Sequence, residues 1–114
     1  MNTQLLQANA RHASRLLKAM SNHHRLLILC QLLDEECCVG ELVRRVGLSQ
    51  SALSQHLARL RRDHLVTTRR SAQTIYYNLA SDEILTLIET LNKIYRASTG
   101  ETSGRAVRVG AAAA

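Results

Sequence analysis

Four short polar side chains lie close together in the middle of the chain: Gln50, Ser51, Ser54 and Gln55. In a helix these positions share one face, because residues four apart are neighbours on the helix surface. A helix in the major groove of DNA presents such groups, since Gln pairs with N6 and N7 of adenine and Ser bonds to a base or a phosphate. The spacing therefore indicates a surface that reads double-stranded DNA.

Positive charge concentrates in the same segment. Residues 44–70 contain seven arginines and a single acidic residue, Asp63, while the whole chain has a net charge of +6. Such a localised basic segment favours a phosphate backbone as its partner, although a solvated basic face without a partner is the alternative. The candidate contacts outside the polar face are Arg59 with the nearby Arg61 and Arg62, and Arg69, Arg70 and Gln73 around a hairpin turn.

Apolar periodicity predicts the elements that position these side chains. A first helix is expected over residues 4–20. A second helix is capped at residues 21–22 and runs to Leu33, and a third begins at Val39 and ends at Gly47. Ser49 can cap the helix with the polar face, which buries a stripe of leucines. His56 borders that stripe, so packing is favoured over base contact. Alternation then predicts strands at residues 66–70 and 74–79, and a last helix starts near residues 81–83.

This order of elements predicts a mainly α fold with a small β-hairpin wing, a winged helix-turn-helix. Four helices precede the hairpin and a fifth follows it. Two short helices meet across residues 47–49, and the basic hairpin comes directly after the second of them. We expect one domain over residues 1–97. Residues 98–114 are rich in Thr, Gly, Ser and Ala, and we expect them to form a disordered tail. Part of this tail is a candidate cloning remnant.

Three cysteines are candidate sensing thiols: Cys30, Cys38 and Cys37. In a reducing compartment they do not form a disulfide framework, and thiolates instead bind soft metals or arsenite, or become oxidised. Cys30 lies in an apolar helix, and the other two follow the acidic residues 34–36. An apolar environment and nearby negative charge both disfavour the thiolate, so we predict that all three thiols react slowly. The alternative to sensing at Cys30 is a small buried apolar residue.

A resemblance to the ArsR/SmtB family of bacterial winged-helix transcriptional regulators is carried by the stretch VGELVRRVGLSQSALSQHLARLRRDHLVTTRRSAQTIYYNL, with LLKAMSNHHRLLILCQLL before it. The similarity covers roughly residues 10–96 and is nearest to the HlyU-like subgroup, which includes the persulfide-sensing BigR and SqrR regulators. The resemblance implies a homodimer through the first and last helices, a DNA-reading helix from Gln50, and an effector that changes DNA binding. It also implies promoters of virulence genes or of sulfur- and redox-stress genes as targets.

The same resemblance limits the sensing chemistry. Cys30 matches the proximal sensing cysteine of the subgroup, but Arg96 stands at the distal position, so the usual dithiol switch cannot close. Two interpretations remain: a sensor in which Cys37 or Cys38 is the resolving thiol for Cys30, or a regulator that has lost thiol sensing. Of the family's Cys-x-Cys metal pair the chain keeps Cys38 and has Gly40 at the second position, and the last helix has no His. We therefore expect no metal and no cofactor. The alternative is a metal- or arsenite-responsive repressor that uses Cys37 and Cys38.

A dimer also follows from physical reasoning. A domain this small exposes one apolar face of its first helix and one of its last, and pairing across a two-fold axis buries both. Two recognition helices then meet a pseudo-palindromic site with half-sites about one DNA turn apart.

The sequence argues against an enzyme and against a membrane protein. It has no Cys-x-x-Cys motif, no Gly-rich loop and no paired carboxylates in a plausible cleft, so a small thiol enzyme or carrier is only a remote alternative. No apolar run approaches the roughly 20 residues of a membrane span, and no secretory signal is visible. We expect a cytoplasmic, bacterial, nucleoid-associated protein.

Overall fold

The computed structural model describes residues 2–99 of the chain. Within this range the elements follow the order α1 (Thr3–Met20), α2 (His23–Gln31), β1 (Cys37–Cys38), α3 (Val39–Val46), α4 (Gln50–Arg62), β2 (Val66–Ser71), β3 (Thr74–Leu79) and α5 (Asp82–Thr99). The prediction of a mainly α fold with a β-hairpin wing is confirmed. Helix α5 includes the first two residues of the segment assigned to a tail, and residues 100–114 lie outside the described residues.

Side-chain caps fix where α2 and α4 begin. The Asn22 side chain accepts hydrogen bonds from the backbone N–H groups of His24 and Arg25, at 2.9 and 3.1 Å. Ser49 Oγ accepts from the N–H of Ala52 at 3.1 Å. Each cap satisfies donors that have no partner within the helix itself. Ser49 thus starts α4 at Gln50, the first residue of the polar face.

A left-handed glycine makes the turn between α3 and α4. Gly47 has φ 79° and ψ 31°, and its N–H donates to the carbonyl of Val43 at 3.0 Å. A Cβ at this position would meet nothing within 4 Å, so the backbone conformation and not crowding favours glycine. The turn places α4 against α3 as the second helix of the helix-turn-helix.

The sheet has three antiparallel strands in the order β1-β3-β2, one more than the hairpin that the sequence indicates. Strand β1 pairs Cys37 with Tyr77 and Cys38 with Tyr76. The hairpin runs from the pair Val66–Leu79 to the pair Ser71–Thr74, and residues 72–73 form its tight turn. A strand of two residues is too short to leave a period in the sequence.

One apolar core joins the helices to the sheet. The leucine stripe of α4 lies in this core, so the opposite face of α4 is directed to solvent. No polar or charged residue among those described is buried. The buried residues are Ala19, Met20, Ile28, Leu29, Cys30, Leu32, Cys37, Leu42, Leu53, Leu57, Leu60, Leu65, Val66, Ile84 and Ile88.

Helices α1 and α5 keep large apolar side chains at the surface. Each of these side chains is more than half exposed: Leu5, Leu6, Leu17, Ile94 and Tyr95. Within residues 2–99 no helix is both long enough and apolar enough to cross a membrane.

Candidate nucleic-acid interface

The exposed face of α4 carries the four polar residues that the sequence places together. Gln50, Ser51, Ser54 and Gln55 are all exposed, and the same face continues through Arg61 and Arg62 at the end of the helix. The helix contains no acidic residue. The result is a polar surface whose amide and hydroxyl groups come first and whose cations come last.

Arg59 lies away from this face. Its Nε donates to Asp63 Oδ2 at 2.9 Å, and this hydrogen bond is the main reason why the pKa of the Asp63 carboxyl lies below its usual value. Arg62 reaches the same carboxylate only at 3.8 Å, and Arg61 forms no ion pair with any residue that the structure describes. The spacing of four residues between Arg59 and Asp63 is the sequence signal for this pair.

The two wing arginines point to opposite sides of the hairpin. Arg69 pairs across the sheet with Tyr76, and Arg70 pairs with Ile75. Successive side chains of a strand alternate between faces, so Arg70 shares a face with Tyr77, whereas Arg69 shares the other with Tyr76. The sequence predicts the same DNA contact for both arginines, but the sheet places their side chains on opposite faces.

Arg69 is held by a carboxylate. Its Nε donates to Glu36 Oε2 at 2.8 Å and its Nη2 donates to Glu36 Oε1, while its guanidinium carbon lies 4.7 Å from the centre of the Tyr76 ring. These bonds are the largest cause of the lowered pKa of Glu36. Arg70 is exposed and forms no ion pair within the described part of the chain. Gln73 is exposed in the hairpin turn.

A groove of about 460 Å³ separates α4 from the wing. Ser54, Arg61 and Arg62 line one wall, and Tyr77 of the wing contributes to the other. His64 also lines it, just after α4, with a left-handed φ of 65°. Sequence reasoning did not select Tyr77, because only the hairpin register shows that it faces α4. The groove brings two cations of α4 beside the wing.

His56 packs between helices. Its ring centre lies 5.8 Å from that of His24 on α2, and its side chain is half-buried. Burial is the main cause of the lowered pKa of His56, and the charges of Arg25 and His24 add to it. Nδ1 of His24 is buried and has no hydrogen-bond partner among the described residues. This placement agrees with packing as the role of His56.

Cys30 is buried in α2 and faces α5. Its Sγ lies 4.0 Å from Oδ1 of Asn92. Burial raises the pKa of Cys30 to about 11. The slow thiol expected from the apolar sequence around Cys30 therefore has a direct structural cause.

Cys37 and Cys38 occupy neighbouring positions of β1, so their side chains point to opposite faces of the sheet. Cys37 is fully buried, and Arg45 Nη1 donates to its Sγ at 3.4 Å. Burial raises the pKa of Cys37, and the Arg45 charge only partly opposes it. Within residues 2–99 no three His, Cys, Asp or Glu side chains converge as a metal site. Thus β1 does not present the two sulfurs to one ion.

Comparisons with known proteins agree with this geometry. Residues 22–68 match the model of the bacterial regulatory proteins of the arsR family. The transcriptional activator HlyU of Vibrio cholerae is 58% identical over 95 residues, which cover 83% of this chain and 88% of HlyU. The structure of reduced HlyU from Vibrio cholerae superposes with a TM-score of 0.77 at 58% identity, over 81% of this chain and 97% of that one.

A second solved structure is the transcriptional repressor BigR from Xylella fastidiosa, with a TM-score of 0.75 at 35% identity, over 83% of this chain and 97% of BigR. These relatives are transcriptional regulators and not enzymes, which confirms the prediction of a winged-helix DNA-binding regulator. With 58% identity to HlyU over an alignment that covers most of both chains, the chain belongs to the arsR family of bacterial regulatory proteins.

Proposed function

We propose that the chain regulates transcription as a homodimer that binds a pseudo-palindromic promoter site, with α4 of each protomer in the major groove. The observation that carries this proposal is the exposed face of α4, which has short polar groups, two terminal cations and no acidic residue. A helix fits the major groove when such groups reach the base edges and cations meet the phosphates beside them.

The contacts fall into two groups. Gln50, Ser51, Ser54 and Gln55 read base edges, because they lie on the exposed face near the start of α4. The phosphate contacts come from Arg61 and Arg62 at the end of α4 and from Arg70 and Gln73 on the wing. Arg59 remains paired with Asp63 and Arg69 with Glu36, so neither guanidinium binds phosphate.

Dimerisation uses α1 and α5. The exposed apolar side chains Leu5, Leu6 and Leu17 of α1 and Ile94 and Tyr95 of α5 supply surface that a two-fold contact would bury. The dimer places two α4 helices on one side of a DNA duplex about one turn apart. We place this regulator in the bacterial cytoplasm at the nucleoid, where its promoter sites are.

Selection of duplexes from a random pool, followed by binding titrations, tests this function. The protein should enrich a two-fold-related sequence. Gln55→Ala should cost about 1–3 kcal/mol on the enriched duplex and much less on a scrambled one. Gln7→Ala, an exposed change of the same type on α1, is the matched control and should alter neither. No enrichment, or equal losses for Gln55→Ala on both duplexes, contradicts the proposed reading helix.

A further inference from the structure

The side chain of Glu36 joins all three strands of the sheet. Glu36 directly precedes β1, and the register of β1 with β3 places it across from Asn78, whose Nδ2 donates to Glu36 Oε2 at 3.2 Å. The same oxygen accepts from Arg69 Nε on β2 at 2.8 Å. Among the described strands β2 pairs only with β3, so this carboxylate is a direct link from β2 to the segment that begins β1.

The geometry of this link restricts Arg69 strongly. Two donors of the guanidinium meet both oxygens of Glu36, and the guanidinium lies over the Tyr76 ring at 4.7 Å. Two-pronged Arg–carboxylate contacts fix direction as well as distance, and Lys cannot reproduce the planar fork or its stacking. The contact therefore fixes the Arg69 side chain and adds a side-chain link between β2 and the segment before β1 to the backbone pairing of β2 with β3.

The link continues into the helix-turn-helix. Cys38, two residues after Glu36, precedes the first residue of α3, and its N–H donates to Glu41 Oε1 at 3.1 Å. Strand β1 thus connects the wing to the start of α3, which packs on α4. A wing fixed at Glu36 is fixed relative to the recognition helix.

We propose that Glu36 is a positioning residue for specific DNA recognition: it clamps Arg69 and Asn78 so that the wing holds Arg70 at a fixed place beside α4, and it withholds Arg69 from phosphate. The proposal rests on the proposed function of α4 and the wing. A carboxylate close to DNA opposes binding by its charge, and here Arg69 compensates that charge within the protein.

Charge and positioning act in opposite directions when Glu36 is changed. Glu36→Gln removes a negative charge, which favours binding to any duplex, but it also releases Arg69 and loosens the wing. We expect unchanged or tighter binding to a scrambled duplex, and a preference for the selected duplex that falls about two- to fivefold. Glu35→Gln is the matched control. Glu35 carries the same charge at the preceding position, but its ion pair is with Arg45 of α3 and not with a residue of the wing.

The measurement is a titration of the full chain with the selected and the scrambled duplex, with thermal unfolding recorded for each variant. A second variant, Arg69→Lys, keeps every charge and removes only the fork, so it should reduce the preference as Glu36→Gln does. If Glu36→Gln changes the preference no more than Glu35→Gln, or if Arg69→Lys keeps the wild-type preference, the clamp is refuted. Failure of the wild-type protein to prefer the selected duplex refutes the proposed function itself, and this role with it.

Discussion

The Cys30 thiol should react slowly with alkylating reagents, although its position corresponds to a sensing cysteine in the HlyU-like resemblance. Burial raises the pKa of Cys30 from an ordinary 9.0 to about 11. At pH 7 this lowers the thiolate fraction by about 100-fold, since each pKa unit is a factor of ten. The thiolate is the nucleophile, and a thiolate of higher pKa is somewhat more reactive, but the buried sulfur is poorly accessible to the reagent, so the alkylation rate should fall by about that factor.

The assay is a time course with iodoacetamide, quenched and read by mass spectrometry of the peptide that contains Cys30. The reference is the same chain unfolded in denaturant, where every thiol is accessible. We expect the folded rate at Cys30 to be about 100-fold lower at pH 7 and to keep rising steeply up to about pH 10, whereas the unfolded rate is half-maximal near pH 9 and levels off above it. A folded rate within tenfold of the unfolded rate refutes the argument from burial. Mild peroxide should likewise leave the affinity for DNA nearly unchanged.

Three further changes test separate parts of the structure. Ala72 has a left-handed φ of 57° in the hairpin turn, so Ala72→Gly should raise the free energy of unfolding by up to about 1 kcal/mol, and a lower value in chemical denaturation would contradict the strain. Burial lowers the pKa of His56 in the folded protein. As the pH drops, His56 is therefore protonated in the unfolded chain before it is protonated in the folded one, and the free energy of unfolding should fall below about pH 6.5. His56→Asn should flatten this fall between pH 7.5 and 5.5, and an identical pH dependence would rule out His56 as its source. Leu17→Asp on the exposed face of α1 should shift the protein toward monomer in sedimentation, and an unchanged dimer would remove α1 from the interface.

The helices and the polar face could be predicted because their signals are local. Ser49 caps α4, and the leucines of α4 repeat at the helical period, so the identity of the opposite face follows from spacing alone. The pair Arg59–Asp63 is also local, four residues apart, and the sequence contained enough to find it. Local spacing thus determines which side chains share a helix face.

The wing could be predicted only in outline. Strand β1 has two residues and forms because Cys37 and Cys38 pair with β3, about 40 positions later in the chain. The contact between Glu36 and Arg69 depends on that register and joins residues 33 positions apart. No pattern within either segment indicates the contact. Alternation in the predicted strand puts Arg69 and Arg70 on opposite faces, but only the register of the sheet shows which of the two meets a carboxylate.

The salt dependence of binding to the selected duplex tests the central claim most directly, because the slope counts phosphate contacts. Arg70→Ala should reduce the slope of log affinity against log salt by about 0.9 for each lost contact, hence by up to about 1.8 in a dimer with two wings. Arg69→Ala should reduce the slope by less than Arg70→Ala does, since Glu36 already holds that guanidinium and only the loosened wing would weaken the Arg70 contact. An unchanged slope for Arg70→Ala, or a larger reduction for Arg69→Ala, would contradict the proposed interface.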